Sequence, residues 1–297
     1  MKSLITRFIL GGFLLAAGLI LHIGLAFAGQ KESGASSLSK KTEPLWEIGV
    51  GGAGAYAPHY PGAEQSQFRF LPFPWFTYRG KVFRSDDKGF RGRILKSDRI
   101  ELDVSVRASL PVSSDDNDAR SGMPELDWLG EVGPRLQINI LKTGNKYRNA
   151  RIDFELPLRS VFSTDLSDSF DWRGFVIAPS LSYRNRNING TGFNLKISGE
   201  PIFASEKLMD YFYQVDSEYV TPNRSAFDAE AGYLGTRFSL GLNRKFGSRW
   251  TIGVHTNVQN YSGSKNSDSP LSFETTNFSA LIGFKFALFQ SDKHVAD

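Results

Sequence analysis

The chain of 297 residues contains no cysteine. That absence excludes a disulfide framework, a thiolate metal site and a lipid-modified N-terminal cysteine. Histidine is nearly as scarce: beyond residue 28 only His59, His255 and His294 remain. Three histidines so widely separated lack metal-ligand spacing, so no metal or other cofactor is expected. An excess of one charge sign is missing too. Setting aside Lys2 and Arg7 at the N-terminus, 33 basic residues face 31 acidic ones, a balance that excludes a nucleic-acid partner. Past residue 28 no run approaches the roughly 18 apolar residues of a membrane-spanning helix, and helical periodicity is hard to find.

What is present begins with a basic, then apolar, N-terminus. Lys2 and Arg7 precede the apolar stretch Phe8 to Phe27, which ends in Ala26-Phe27-Ala28. This order predicts a signal peptide over residues 1–28, cleaved after Ala28, in preference to an uncleaved membrane anchor. Residues 29–44 are Ser- and Lys-rich and predict a flexible periplasmic N-terminus. The remainder holds 24 Phe, 10 Tyr and 5 Trp, too apolar a composition for a disordered chain.

From residue 45 to 289 the dominant pattern has period two. Ile100, Leu102, Val104, Val106 and Ala108 alternate with Glu101, Asp103, Ser105 and Arg107. Ile152, Phe154, Leu156 and Leu158 alternate in the same way with Arg151, Asp153, Glu155 and Arg159. Such runs exceed the usual strand of about five or six residues and match the roughly 9–11 residues of a tilted membrane-spanning strand. The reading is all-β: an antiparallel transmembrane β-barrel of the outer-membrane type, with about 12 strands. Ten would remain if the short hairpin over 81–96 were not counted. The long connections (58–67, 110–127, 162–171, 204–227 and 262–276) all fall on one side. Short turns and both termini fall on the other, the asymmetry of extracellular loops against periplasmic turns. Residues 290–297 (QSDKHVAD) are left as a polar C-terminal tail. Localisation follows as the outer membrane of a Gram-negative cell, with membrane lipid as the first partner.

Several ordered segments then become informative. They are Tyr60-Pro61-Gly62, Leu71-Pro72-Phe73-Pro74, Ser85-Asp86-Asp87-Lys88-Gly89, Asp210-Tyr211-Phe212-Tyr213, Phe227 to Gly232, and Asp268-Ser269-Pro270-Leu271. In this order and spacing the chain resembles the MipA/OmpV family, the MltA-interacting outer-membrane proteins. The resemblance covers essentially the whole mature chain. It implies an outer-membrane barrel whose family namesake is regarded as a scaffold joining a lytic transglycosylase to a murein synthase. Such periplasmic murein enzymes are therefore the implied partners. Barrels of this kind usually end on a terminal aromatic, whereas here eight polar residues follow Phe289.

Gly49-Val50-Gly51-Gly52-Ala53-Gly54 formally matches a dinucleotide fingerprint, but the helix and acidic residue it needs are missing. Small residues that let neighbouring side chains fill a lumen explain the run better. His255 on a lumen face, with Ser239 on the preceding strand, is the minimal apparatus of an acyl hydrolase. Polar lumen faces produce such pairs by chance, and no enzyme is expected. The charges Glu101, Asp103, Arg107, Arg151, Asp153, Glu155, Arg159, Lys196, Glu200, Arg237 and Lys285 fall on inward faces. Mixed signs on adjacent strands predict cross-strand ion pairs that fill the barrel. Pro72 to Phe76 and Tyr78 read as an interfacial aromatic girdle. Tyr211, Phe212 and Tyr213 form a loop aromatic cluster expected to cap the barrel. The functional expectation is a non-enzymatic scaffold in envelope maintenance. A narrow, porin-like channel for small solutes is the alternative, and an outer-membrane lipid hydrolase the remote one.

Overall fold

The alternating segments pair edge to edge into a sheet that closes on itself. A computed structural model describes residues 42–80, 83–86, 89–97, 99–109, 111–144, 149–167 and 169–296. The signal peptide with its Ala28 site, and residues 29–41, lie outside them. The strands are β1 (Thr42–Pro44), β2 (Trp46–Pro58), β3 (Ser66–Arg79), β4 (Phe83–Asp86), β5 (Gly89–Lys96), β6 (Ile100–Ser109), β7 (Trp128–Gly144) and β8 (Asn149–Thr164). They continue with β9 (Asp171–Ile177), β10 (Ser180–Arg186), β11 (Phe193–Ala204), β12 (Gly232–Phe246), β13 (Trp250–Asn260), β14 (Thr276–Gln290) and β15 (His294–Ala296).

Strands β2 to β14 form one antiparallel sheet in which β14 returns to pair with β2. Strands β9 and β10 share one position in the ladder, because both lie between β8 and β11. The break between them falls at Ala178-Pro179, where proline has no N–H to give the ladder. The sheet therefore closes with twelve strand positions, the short hairpin β4–β5 being one of its pairs. The β14–β2 pairing removes the edge that an open sheet would expose to hydrocarbon, and among the described residues the short hairpin joins β3 only at Tyr78 and Arg79. No helix among the described residues is long and apolar enough to cross a membrane.

The outer surface is apolar by design of the alternation. Phe68, Phe70, Ile100, Val106, Val132, Leu181, Phe238, Ile252 and Ile282 are all exposed. The glycine-rich strand β2 makes room for aromatics of β3 on both faces. A Cβ at Gly51 would fall 2.8 Å from the Phe73 ring, and one at Gly52 2.9 Å from the Phe70 ring. Phe73 and Trp75 thus lie inward over β2, with Trp75 Nε1 donating to the Val50 carbonyl at 3.1 Å. Only part of the expected girdle, such as the exposed Phe76, faces outward.

Two further features depart from the sequence reading. The polar segments at the two ends of the barrel domain are not free. Strand β1 pairs with β15, Glu43 opposite Val295. Backbone bonds from Leu45 N to the Lys293 carbonyl and from Ser291 N to the Trp46 carbonyl continue that pairing. The reason is geometric: β14 and β2 are neighbours, so the chain leaving one meets the chain entering the other. The longest loop also contains an α-helix, α1 (Glu206–Tyr213), too short to produce a readable helical period.

Candidate functional site

The inward faces of the strands carry a ladder of ion pairs. Nearest the long loops, Arg159 Nε meets Glu131 at 2.7 Å. Glu200 accepts from both Arg107 Nη2 and Arg237 Nη1 at 3.0 Å. At mid-height Arg135 grips Asp103 through Nε at 2.9 Å and Nη2 at 2.6 Å, a bidentate pair. Its Nη1 also reaches Glu155 at 3.4 Å. Glu155 takes a second, very close contact from Arg184 and a hydrogen bond from Ser182. Lower still, Arg151 meets Asp153 at 3.0 Å, and Asn139 donates to the same carboxylate at 2.9 Å. Asp103 and Asp153 are wholly buried. Antiparallel register is what joins these groups: Asp103 stands opposite Arg135, and Arg107 opposite Glu131.

Most of the charges read from the sequence therefore meet in one cluster. Glu101 lies in the field of Arg135. Lys285 is apart from them, its ammonium 5.2 Å from the Trp75 ring centre. Three partners were missed: Arg135, Glu131 and Arg184. Each lies on an inward position of its strand, so correct strand register would have found them. Ser239 and His255 both line the same lumen cavity of about 400 Å³. The Ser239 hydroxyl, however, is 2.6 Å from Asn257 Oδ1, to which it donates.

Packed structure stands at both ends of this polar column. At the turn end, Glu47 is buried and accepts from Arg79 at 2.6 Å and from Gln290 at 2.8 Å. Arg79 also contacts Glu43 at 3.2 Å, so the β1–β15 pair is tied to the barrel wall. At the other end the long loops share a hydrophobic core built from Tyr60, Val112, Met123, Leu126, Leu208, Met209, Phe212, Tyr213, Val215 and Leu271.

The loop aromatic cluster and the family-like motifs converge in this cap. Tyr60-Pro61-Gly62 forms a turn closed by Ala63 N to the Tyr60 carbonyl at 3.1 Å, with Gly62 at φ +81°. Proline at the second and glycine at the third position are what a type II turn requires. The Tyr60 hydroxyl donates to the Leu271 carbonyl at 2.9 Å, and the Tyr213 hydroxyl to the Pro61 carbonyl at 2.9 Å. Ser269 Oγ donates to the Tyr213 carbonyl at 2.9 Å, next to Pro270. Tyr211 packs edge-on against Phe212, with the Arg173 guanidinium 4.6 Å from its ring centre. Burial pushes the Tyr60 and Tyr211 phenols up to about 12 each, Asp127 adding to the effect at Tyr211. Arg224 ties the cap together by donating to the Ala119 and Ser121 carbonyls at 2.8 and 3.1 Å.

His59 stands beside this turn. Its Nδ1 faces the Asn117 amide nitrogen at 2.9 Å, while Asn117 Oδ1 accepts from Arg120 N at 3.1 Å. With its oxygen engaged, the amide offers N–H to the ring, so His59 Nδ1 is the acceptor and the imidazole is neutral. Burial lowers the His59 pKa below its ordinary value, Asp116 opposes that, and Arg69 adds to it.

The model of one family, described as MltA-interacting protein MipA, matches residues 50–288, spanning both the cap and the charge ladder. The chain belongs to the MipA family. Among curated proteins none matches the sequence. Solved outer-membrane barrels are similar to this MipA-family chain only distantly. A bacterial polysaccharide outer-membrane secretin shares 9% identity, with 83% of this chain and 99% of that one covered and a TM-score of 0.38. The translocator domain of the autotransporter NalP from Neisseria meningitidis shares 10%, covering 94% and 98%, with a TM-score of 0.36. Outer membrane phospholipase A from Escherichia coli shares 10%, covering 83% and 94%, with a TM-score of 0.31. These likenesses are too slight to bear on activity.

Proposed function

We propose that this MipA-family barrel is a non-enzymatic interaction platform of the outer membrane, presenting its periplasmic end to enzymes of murein metabolism. The observation that carries the reading is that the interior charges are largely spent on structure, around one cavity of about 400 Å³. Ion pairs cross the lumen, a separate core caps the loop end, and the β1–β15 pair is latched at the turn end. A barrel so built is suited to offering its ends rather than its bore.

The family description, MltA-interacting, supports a murein enzyme as the partner class. Exposed Lys142, Arg249 and Lys293 at the turn end suit an acidic partner or anionic peptidoglycan. Lys146 and Arg148, near Lys142 in sequence, and Lys40 and Lys41 in the N-terminal segment lie outside the described residues. Photo-crosslinking amino acids at Arg249 and, separately, at Asp118 in the loop end test the proposal in intact envelopes. Capture of a lytic transglycosylase or murein synthase from Arg249 and not from Asp118 supports it. Capture of neither enzyme from the turn end overturns it.

The second reading, a narrow channel for small solutes, is favoured by the cavity of about 400 Å³ among the lumen charges. The hydrolase reading gains no support from Ser239, whose proton is directed to Asn257 rather than His255.

A further inference from the structure

The ion-pair ladder leaves one cation over. Lys196 of β11 points into the lumen cavity, and among the described residues its ammonium makes no ion pair or hydrogen bond. Every neighbouring carboxylate is already engaged, Glu200 by Arg107 and Arg237, and Glu155 by Arg184 and Arg135. The walls of the cavity carry five cations (Arg107, Arg135, Arg159, Lys196 and Arg237) but only Glu155 and Glu200 as anions. Asp103 and Glu131, the partners of Arg135 and Arg159, are not among the residues that line the cavity.

Lys196 feels the Glu155 and Glu200 carboxylates only through space, and a charge within a membrane-spanning barrel that no group pairs directly is costly and as a rule marks a ligand or solute site. Low-dielectric walls concentrate the field of the excess cations into the space they enclose. That space is shaped as well as charged. Gly241 of β12 lies between Lys196 and His255, and a Cβ there would fall 3.3 Å from His255 Nδ1 and 4.0 Å from Lys196 Cβ. The missing side chain leaves the His255 imidazole and the foot of the Lys196 side chain uncrowded, and the Ser198 hydroxyl lines the same cavity. The Arg159 Nη2, buried and without a hydrogen-bond partner, adds an unmet donor to the same wall. Ammonium and guanidinium groups gathered in this way recognise phosphate and carboxylate oxygens. The volume of about 400 Å³ lies in the range of small-molecule pockets.

We propose that the lumen of this barrel holds a binding site for a small oxyanion, a phosphate or carboxylate group, centred on Lys196 above Gly241. The proposal goes beyond the platform reading and does not depend on it.

Thermal unfolding of the purified barrel in neutral detergent tests it, with inorganic phosphate or succinate loaded at equilibrium and sodium chloride at matched ionic strength as the control. Phosphate, succinate or both are expected to raise the midpoint saturably beyond chloride, by the linkage of binding to the folded state. A response to one alone assigns the site to that group. Lys196→Gln is expected to weaken the apparent affinity by about tenfold or more, the scale of one charge-assisted contact. Lys196→Arg should retain binding, and Gly241→Val should abolish it by crowding His255 and Lys196 while leaving every charge in place. Retained heat-modifiable mobility of each variant on gels confirms that the barrel has folded. If neither anion exceeds chloride, or if the response is unchanged in folded Lys196→Gln or Gly241→Val, the proposal is wrong.

Discussion

Tyr213 is the residue on which the cap is expected to depend most. It is 1% exposed, its hydroxyl donates to the Pro61 carbonyl at 2.9 Å, and its own carbonyl accepts from Ser269. Tyr213→Phe removes only the hydroxyl bond, worth about 1 kcal/mol, or roughly fivefold in the equilibrium between closed and open cap. Tyr213→Ala also empties a fully buried aromatic site, costing about 3–5 kcal/mol, which corresponds to roughly a thousandfold. Limited tryptic cleavage after Arg224 reads the effect, because Arg224 is buried and its guanidinium is held by the Ala119 and Ser121 carbonyls. When reclosing outpaces cleavage, the rate follows the open population. The two variants should therefore be cut about fivefold and about a thousandfold faster, with the barrel still resisting dissociation on unheated gels. Cleavage of Tyr213→Ala at the wild-type rate would refute the reasoning. So would loss of the barrel itself in parallel, since the cap would then not be a separate unit.

Other perturbations follow from the same geometry. Arg135→Leu strands the wholly buried Asp103 and should cost about 3–5 kcal/mol in urea unfolding from lipid, with Arg135→Leu/Asp103→Leu recovering much of it. Because the His59 pKa is lowered on folding, the unfolded cap binds the proton more readily. Cap stability is then complete at neutral pH and falls on acidification below about 6.5 until the folded pKa is reached. Cleavage after Arg224 should accelerate from pH 7.5 to 5.5 in wild type and lose that dependence in His59→Gln. Gly51→Val places side-chain atoms against Phe73 and the Phe284 carbonyl and should abolish assembly of the heat-modifiable barrel, whereas Val50→Ala on the exposed outer face should not.

The barrel was legible in the sequence because one physical signal, period-two alternation, is repeated along β6, β8, β13 and β14. Even the short hairpin β4–β5 takes its place in the ladder. Register was harder. Arg135 and Arg184 escaped notice because a partner across a strand pair depends on which residues face each other, and a slip of one reverses every side chain. Phe73 and Trp75 were read as lipid-facing because aromatics suit the interface. Their inward position depends on the glycines of a neighbouring strand, which alternation within β3 alone does not reveal. The break at Pro179 follows from its missing N–H. The pairing of residues 42–44 with 294–296 follows only from closure, which no local pattern records. The cap was only partly readable. Tyr60-Pro61-Gly62 announced a turn, but the contact of that turn with Tyr213 and Leu271 is set by loops more than 150 residues apart in the chain.

The central claim, that the bore serves structure rather than conduction and the ends engage the partner, is tested most directly by recording from the pure protein in planar lipid bilayers. The account expects a quiet baseline, without long-lived unitary steps, under applied voltage at neutral pH. Stable, reproducible conductance steps from the wild-type barrel would contradict it and turn the reading to the solute channel.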